Sequence, residues 1–204
     1  MSYRRSLPTA NGTVACHGNG SSTALAASDA AGLGAQPGGP AWNGRERADT
    51  NPEAAPNAAQ RFVELVESGF YDQTPISRVV PGFVAQFGIN WREPHKQWEN
   101  NEFNDDPTRF ALDRGTLAFA KAGPNTNSTQ VFINYVNNNR LADPQSNFTV
   151  FGKVVEGMDV VDAFTQVGEP GGGLDQERLW MDGDAYLAEL ATKPTMIERA
   201  VLQD

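Results

Sequence analysis

Side chains able to hold a ligand are concentrated in residues 120–134, which read Ala120-Lys121-Ala122-Gly123-Pro124-Asn125-Thr126-Asn127-Ser128-Thr129-Gln130-Val131-Phe132-Ile133-Asn134. Gly, Pro, Asn and Thr hold an irregular loop by restricting φ and by bonding side chain to backbone. In the strand that follows, alternation puts Gln130, Phe132 and Asn134 on one face. A rigid polar loop beside an apolar-floored strand face suits an extended peptide. Other chemistries find little support. His17 and His95 are the only histidines and lie too far apart in sequence to suggest a metal site. The run Gly171-Gly172-Gly173 lacks the strand and helix context of a phosphate loop, Glu93-Pro94-His95-Lys96 reads as a solvated loop, and Asp105-Asp106 as a cap or turn before Pro107.

A second block lies upstream and contains Gly69-Phe70-Tyr71-Asp72-Gln73, Ser77-Arg78-Val79, Pro81-Gly82-Phe83 and Gln86-Phe87-Gly88. A third runs Thr149-Val150-Phe151-Gly152-Lys153-Val154-Val155-Glu156-Gly157-Met158. In order and separation the three blocks resemble the cyclophilin-type peptidyl-prolyl cis/trans isomerases, over about residues 52–202. Taken alone, Arg78 reads as a surface arginine paired with an acid, Gln86 as a solvent-facing strand residue and Val84 as ordinary core. The resemblance implies more: Arg78 matches the catalytic arginine and Gln86 the glutamine that bonds the substrate backbone and supports it. Phe83, Val84, Phe132 and Leu141 match the proline pocket, with Phe148 on its wall. Ala120, Lys121, Ala122 and Gln130 match the far side, where main-chain groups at Lys121 hold the peptide.

Departures from the usual pattern are equally specific. Arg140 stands where many members carry Trp and Phe148 where many carry His, while Ser77 and Phe87 replace a His and a Gly. These changes resemble a branch common in bacteria and also found in algae and protists. Loss of the Trp implies weak binding of the drug cyclosporin. The implied partners are proline-containing peptides and unfolded proteins, with no metal and no cofactor. A proline-recognition module without turnover, or a degenerate domain propped by a partner, are the alternatives.

The elements that must position these residues follow from periodicity. Phe62, Leu65 and Val66 predict a helix over 58–68, stopped at Gly69. Strands are expected at 76–80, 82–87, 115–120, 130–135, 149–154 and 196–202, a short helix at 158–164, and a last helix capped by Asp184. Short strands with few helices leave sandwich and barrel open. The resemblance selects a mainly β fold, the cyclophilin-like closed antiparallel β-barrel with two to three helices.

Composition bounds the rest. The 204 residues suit one domain plus a tail, and a formal charge of −9 argues against a nucleic-acid surface. No run of ~20 apolar residues is present to cross a membrane. The single cysteine, Cys16, allows no internal disulfide and fits a reducing compartment. A cytoplasmic monomer is expected, with organelle targeting as the alternative, because Arg4 and Arg5 precede an acid-free, Ser- and Ala-rich run up to Asp29. Residues 1–51 read as a low-complexity, disordered segment and 52–204 as the domain. Before residue 52 no alternating apolar run supplies the hairpin that opens such barrels, and 12–17 is a faint strand candidate. Either the N-terminal segment supplies substitutes or the hairpin is missing.

Overall fold

The computed structural model describes residues 13–17 and 45–203, with side chains over 48–202. The strands are β1 (Thr13–His17), β2 (Arg45–Thr50), β3 (Thr74–Val80), β4 (Val84–Phe87), β5 (Thr116–Phe119), β6 (Val131–Asn134), β7 (Val150–Glu156), β8 (Met196–Ile197) and β9 (Arg199–Gln203). They form one sheet in the order β8-β3-β4-β6-β5-β7-β2-β1-β9. Its two end strands are consecutive in the chain, with Glu198 alone between them. The strand expected over 196–202 is thus split, its first part pairing with β3 and its second with β1, so this one segment links the two edges of the curled antiparallel sheet.

The opening hairpin, expected to be missing or degenerate unless the N-terminal segment supplied substitutes, is present as β1 and β2, which pair antiparallel with Thr13 opposite Asp49 and His17 opposite Arg45. β2 also pairs with β7, and β1 with β9. Pairing of backbone groups on both sides needs no alternating apolar pattern, which explains why Arg45–Thr50 gave no strand signal. The boundary expected between residues 51 and 52 falls immediately after β2. The disorder expected for the remainder of residues 1–51 concerns 1–12 and 18–44, which lie outside the described residues.

Alternation sorts the sheet into two faces. Val79, Ala85, Ile133 and Leu117 stand opposite one another on β3, β4, β6 and β5 and enter the main core with Phe62, Leu65, Phe119 and Phe151. Burial of such a side chain contributes about 1.5–3 kcal/mol, so this interior holds the barrel together. Their strand neighbours therefore face outward.

Helix α1 (Pro56–Glu67) packs Phe62, Leu65 and Val66 into that core. Its own N-cap residue is Ala55, and the missing cap comes from Asp106, whose carboxylate accepts from the Asn57 and Ala58 N–H groups at 3.2 and 2.9 Å. The short α2 is Met158–Asp162. Helix α3 (Gln176–Glu189) starts earlier than expected and is capped by Asp175, which accepts from the Arg178 N–H at 3.0 Å. Asp184 is no cap; it pairs with Arg92 at 3.5 Å, while a kink at Asp182 restarts the helix. Ile89, Trp91, Val167, Leu174, Leu179 and Tyr186 form a second small core that pins α3 beside β4. A Cβ at Gly183 would collide with the Trp91 ring, so only glycine permits this approach. Among the described residues no helix is long and apolar enough to cross a membrane, and no cluster of three metal-ligating side chains occurs.

Candidate functional site

On the outer face, register builds a row of side chains. Arg78 of β3 stands opposite Gln86 of β4, Gln86 opposite Phe132 of β6, Phe132 opposite Ala118 of β5, and Ala118 opposite Val150 of β7. Directly paired residues share a face, so the row passes from a cation through an amide to an apolar floor.

The polar end is a directional network. Arg78 Nη1 donates to Gln86 Oε1 at 3.4 Å, Gln86 Nε2 to Gln130 Oε1 at 2.8 Å, and Gln130 Nε2 to Gln176 Oε1 at 2.9 Å. Arg78 Nε donates to the Gly171 carbonyl at 2.7 Å. Two of the three guanidinium nitrogens therefore have acceptors, and Nη2 has none among the described residues. The guanidinium carbon lies 5.7 Å from the Phe83 ring centroid, and that of Arg140 lies 4.9 Å from the same ring.

At the apolar end Val84, Leu112, Ala118, Phe132 and Val150 form a buried cluster, with Phe83, Ala120, Leu141, Ala142 and Phe148 packed against it. Phe132 and Phe148 meet edge to face at 5.6 Å. The expected proline-pocket residues Phe83, Val84, Phe132, Leu141 and Phe148 are thus neighbours, although widely separated in sequence. Asn138 positions the segment that carries Arg140 and Leu141. It donates to the Phe83 carbonyl at 3.0 Å and to Asn134 Oδ1 at 2.8 Å, while Asn134 donates to Thr116.

The loop of residues 120–130 is braced from several sides. Tyr71 Oη donates to the Thr129 carbonyl at 3.1 Å, and Thr129 Oγ1 donates to the Gly88 carbonyl at 2.9 Å. Arg61 reaches the Ser128 carbonyl at 3.2 Å from between Trp98 and Phe103. Ala122 is exposed, and its N–H donates to Thr126 Oγ1 at 3.0 Å. Lys121 turns its side chain away from solvent: Nζ lies 2.8 Å from Asp105, donates to the Asn147 carbonyl at 3.0 Å and sits 5.4 Å from the Phe148 ring. Burial alone would raise the Asp105 carboxyl, but the Lys121 ammonium, the Asn127 amide and the Asn125 N–H outweigh it and hold the group below its ordinary value.

A separate cleft is lined by Val150, Asp49, Glu53, Phe110, Asp113 and Lys153 among others, and holds none of the residues expected at the site. Sequence reasoning missed Gly171, Gln176 and Asn138, and put Asn134 on the right strand face without assigning it a role. A backbone carbonyl leaves no trace in a sequence, and Asn138 acts only through neighbours that the fold brings to it.

The profile of the family described as "Cyclophilin type peptidyl-prolyl cis-trans isomerase/CLD" matches residues 43–179. A "Peptidyl-prolyl cis-trans isomerase-like 3" of Rhizopus delemar is 36% identical over 118 residues, covering 52% of this chain and 67% of that protein. A "Peptidyl-prolyl cis-trans isomerase" of Acinetobacter baylyi is 38% identical over 119 residues, covering 55% of this chain and 62% of that protein. The chain thus spans a little under or about two thirds of these curated relatives. The fold is similar to a crystal structure of a Cryptosporidium parvum cyclophilin type peptidyl-prolyl cis-trans isomerase, with a TM-score of 0.58 at 22% identity over 79% of this chain and 92% of that one. A further structure of that parasite protein was obtained in the presence of the dipeptide Ala-Pro.

Proposed function

Because the chain belongs to the cyclophilin-type peptidyl-prolyl cis-trans isomerases, we propose that it rotates X-Pro bonds in peptides and unfolded chains, with Arg78 and Gln86 as the catalytic pair. The X-Pro amide resists rotation with a barrier of about 18–20 kcal/mol because the nitrogen lone pair is delocalised into the carbonyl. In the twisted transition state that pair is localised and accepts a hydrogen bond. An N–H donor of fixed direction aimed at the prolyl nitrogen stabilises the twisted form above either planar one, and each ~1.4 kcal/mol of that difference is tenfold in rate.

The single observation that carries this reading is the Arg78 guanidinium, held at Nε and Nη1 at the edge of an apolar cluster while Nη2 has no acceptor among the described residues. Arginine stays charged at any relevant pH, so the donor is permanent. The prolyl ring is bound by Phe83, Val84, Phe132, Leu141 and Phe148, and its burial contributes about 2 kcal/mol. Main-chain groups of Ala120, Lys121 and Ala122, together with the Gln130 side chain, hold the peptide backbone. The Ala-Pro dipeptide used with the Cryptosporidium protein is of the same chemical class. Assistance to folding follows, since uncatalysed X-Pro isomerisation takes tens to hundreds of seconds.

A protease-free isomerisation assay on a proline-containing tetrapeptide, run beside a thermal melt, tests the proposal. Turnover by a cooperatively melting protein supports it. Peptide binding without turnover would instead favour a recognition module, and the lack of a cooperative melt would favour a degenerate domain.

A further inference from the structure

Against Arg78 the chain after α2 makes a tight glycine turn. Glu169 N donates to the Gly173 carbonyl and Gly173 N to the Glu169 carbonyl, both at 3.0 Å, so the turn closes on itself. Its exit is tied to the barrel, because Leu174 N donates to the Ser77 carbonyl at 2.8 Å. Leu174 and Val167, on either side of the turn, are anchored in the small core with Trp91 and Leu179. At the tip, the Gly171 carbonyl accepts from Arg78 Nε at 2.7 Å.

Gly173 is what allows the turn to lie this close. Its φ is +80°, and a Cβ there would stand 2.5 Å from the Ser77 carbonyl oxygen, 2.7 Å from Arg78 Cβ and 2.8 Å from Arg78 Cα. Any other residue would both strain the backbone and push the turn off the arginine. A Cβ at Gly172 meets nothing nearer than Glu169 Cβ at 3.5 Å, an ordinary contact.

Resting on the reading of Arg78 as catalytic, we infer that Gly171 and Gly173 are positioning residues for it. A guanidinium on three methylenes sweeps a wide cone unless its plane is fixed. One acceptor at Nη1 leaves the group free to pivot about that bond. A second acceptor at Nε defines the plane, and with it the line along which Nη2 points. Gly171 supplies the second acceptor and Gly173 holds it in reach. None of the turn residues belongs to the pocket cluster, so the turn acts on orientation and not on peptide affinity.

The test compares Gly173→Ala with Gly172→Ala in the intact chain. Turnover and KM come from the protease-free assay, affinity from NMR titration with a proline-containing tetrapeptide, and Arg78→Ala is measured in parallel. Gly173→Ala is expected to lower kcat by about tenfold or more with KM and peptide affinity within about twofold, whereas Gly172→Ala keeps kcat within about twofold. Unchanged kcat in Gly173→Ala would overturn the inference, as would a loss carried by KM. Should Gly173→Ala fail to fold, the Arg78 Nε–H signal of the unmodified protein decides. Slow solvent exchange of that proton supports the brace, and exchange at the rate of a free arginine side chain overturns it. Full turnover in Arg78→Ala with a slowly exchanging Nε–H would refute the catalytic reading while leaving the brace itself in place.

Discussion

Arg78 and Gln86 stand directly opposite each other on β3 and β4, and the Gln86 amide faces the guanidinium with its oxygen because its nitrogen is committed to Gln130. The orientation of the amide is thus set by its second partner. Rotated by half a turn, it would present N–H groups to the cation and lose both bonds.

Gln86→Leu should therefore reduce kcat/KM by about tenfold or more, the lower end of the ~1.5–3 kcal/mol of one hydrogen bond to a charged group, with little change in Tm. Stopped-flow isomerisation and a thermal melt check this. Equal activity in Gln86→Leu and the parent would show that the network does not bear on turnover.

The buried pair of Lys121 and Asp105 gives a stability prediction with a defined pH window. Lys121 is 4% and Asp105 13% exposed at the side chain, so Lys121→Met strands a carboxylate and should cost about 3 kcal/mol, or a Tm fall of roughly 6–12 °C. Asp105 is depressed in the folded state below the ~3.9 of an unfolded chain. Its contribution is accordingly complete above about pH 4 and disappears as pH falls through the lower folded value. Without the Lys121 ammonium, burial moves the Asp105 carboxyl back up, so the Tm deficit of Lys121→Met should be largest above about pH 4 and narrow as pH falls below it. A Tm deficit that stays constant down to acid pH would contradict the assignment.

Most residues of the candidate site could be named from the sequence because they belong to blocks that carry strand periodicity and turn chemistry together. Phe83, Val84 and Phe132, expected together from the resemblance, are neighbours in one cluster through the register of β4 against β6. What was not legible acts through backbone or through space. The Gly171 carbonyl has no side-chain identity, Gln176 reaches Gln130 from a helix whose start was placed too late, and the Lys121 ammonium found Asp105 rather than solvent. The strand Arg45–Thr50 was missed because ladder pairing on both edges, not an apolar stripe, supports it.

That strand pair gives a further prediction. β1 lies between β2 and β9, and β2 between β1 and β7, so deleting residues 1–50 exposes the edges of β7 and β9 and should abolish cooperative folding. Hydrogen exchange should find amides of Val14 and Ala15 protected to a degree approaching that of Phe132. Exchange at unprotected rates, with a stable truncated domain, would contradict it.

Arg140 bears on ligands. Its guanidinium carbon covers the Phe83 ring at 4.9 Å, where the resemblance expects an indole. Cyclosporin should bind weakly, and Arg140→Trp should tighten binding by about tenfold by adding apolar area and a neutral donor. Isothermal titration measures both, and tight binding by the unmodified protein would refute the expectation.

The most direct measurement is turnover by Arg78→Ala in the protease-free assay, with Tm recorded on the same sample. Arg78 is partly exposed on the outer face and contributes little packing, so Tm should stay within about 3 °C while kcat/KM falls by roughly a hundredfold or more. A folded Arg78→Ala protein that isomerises as fast as its parent would contradict the account.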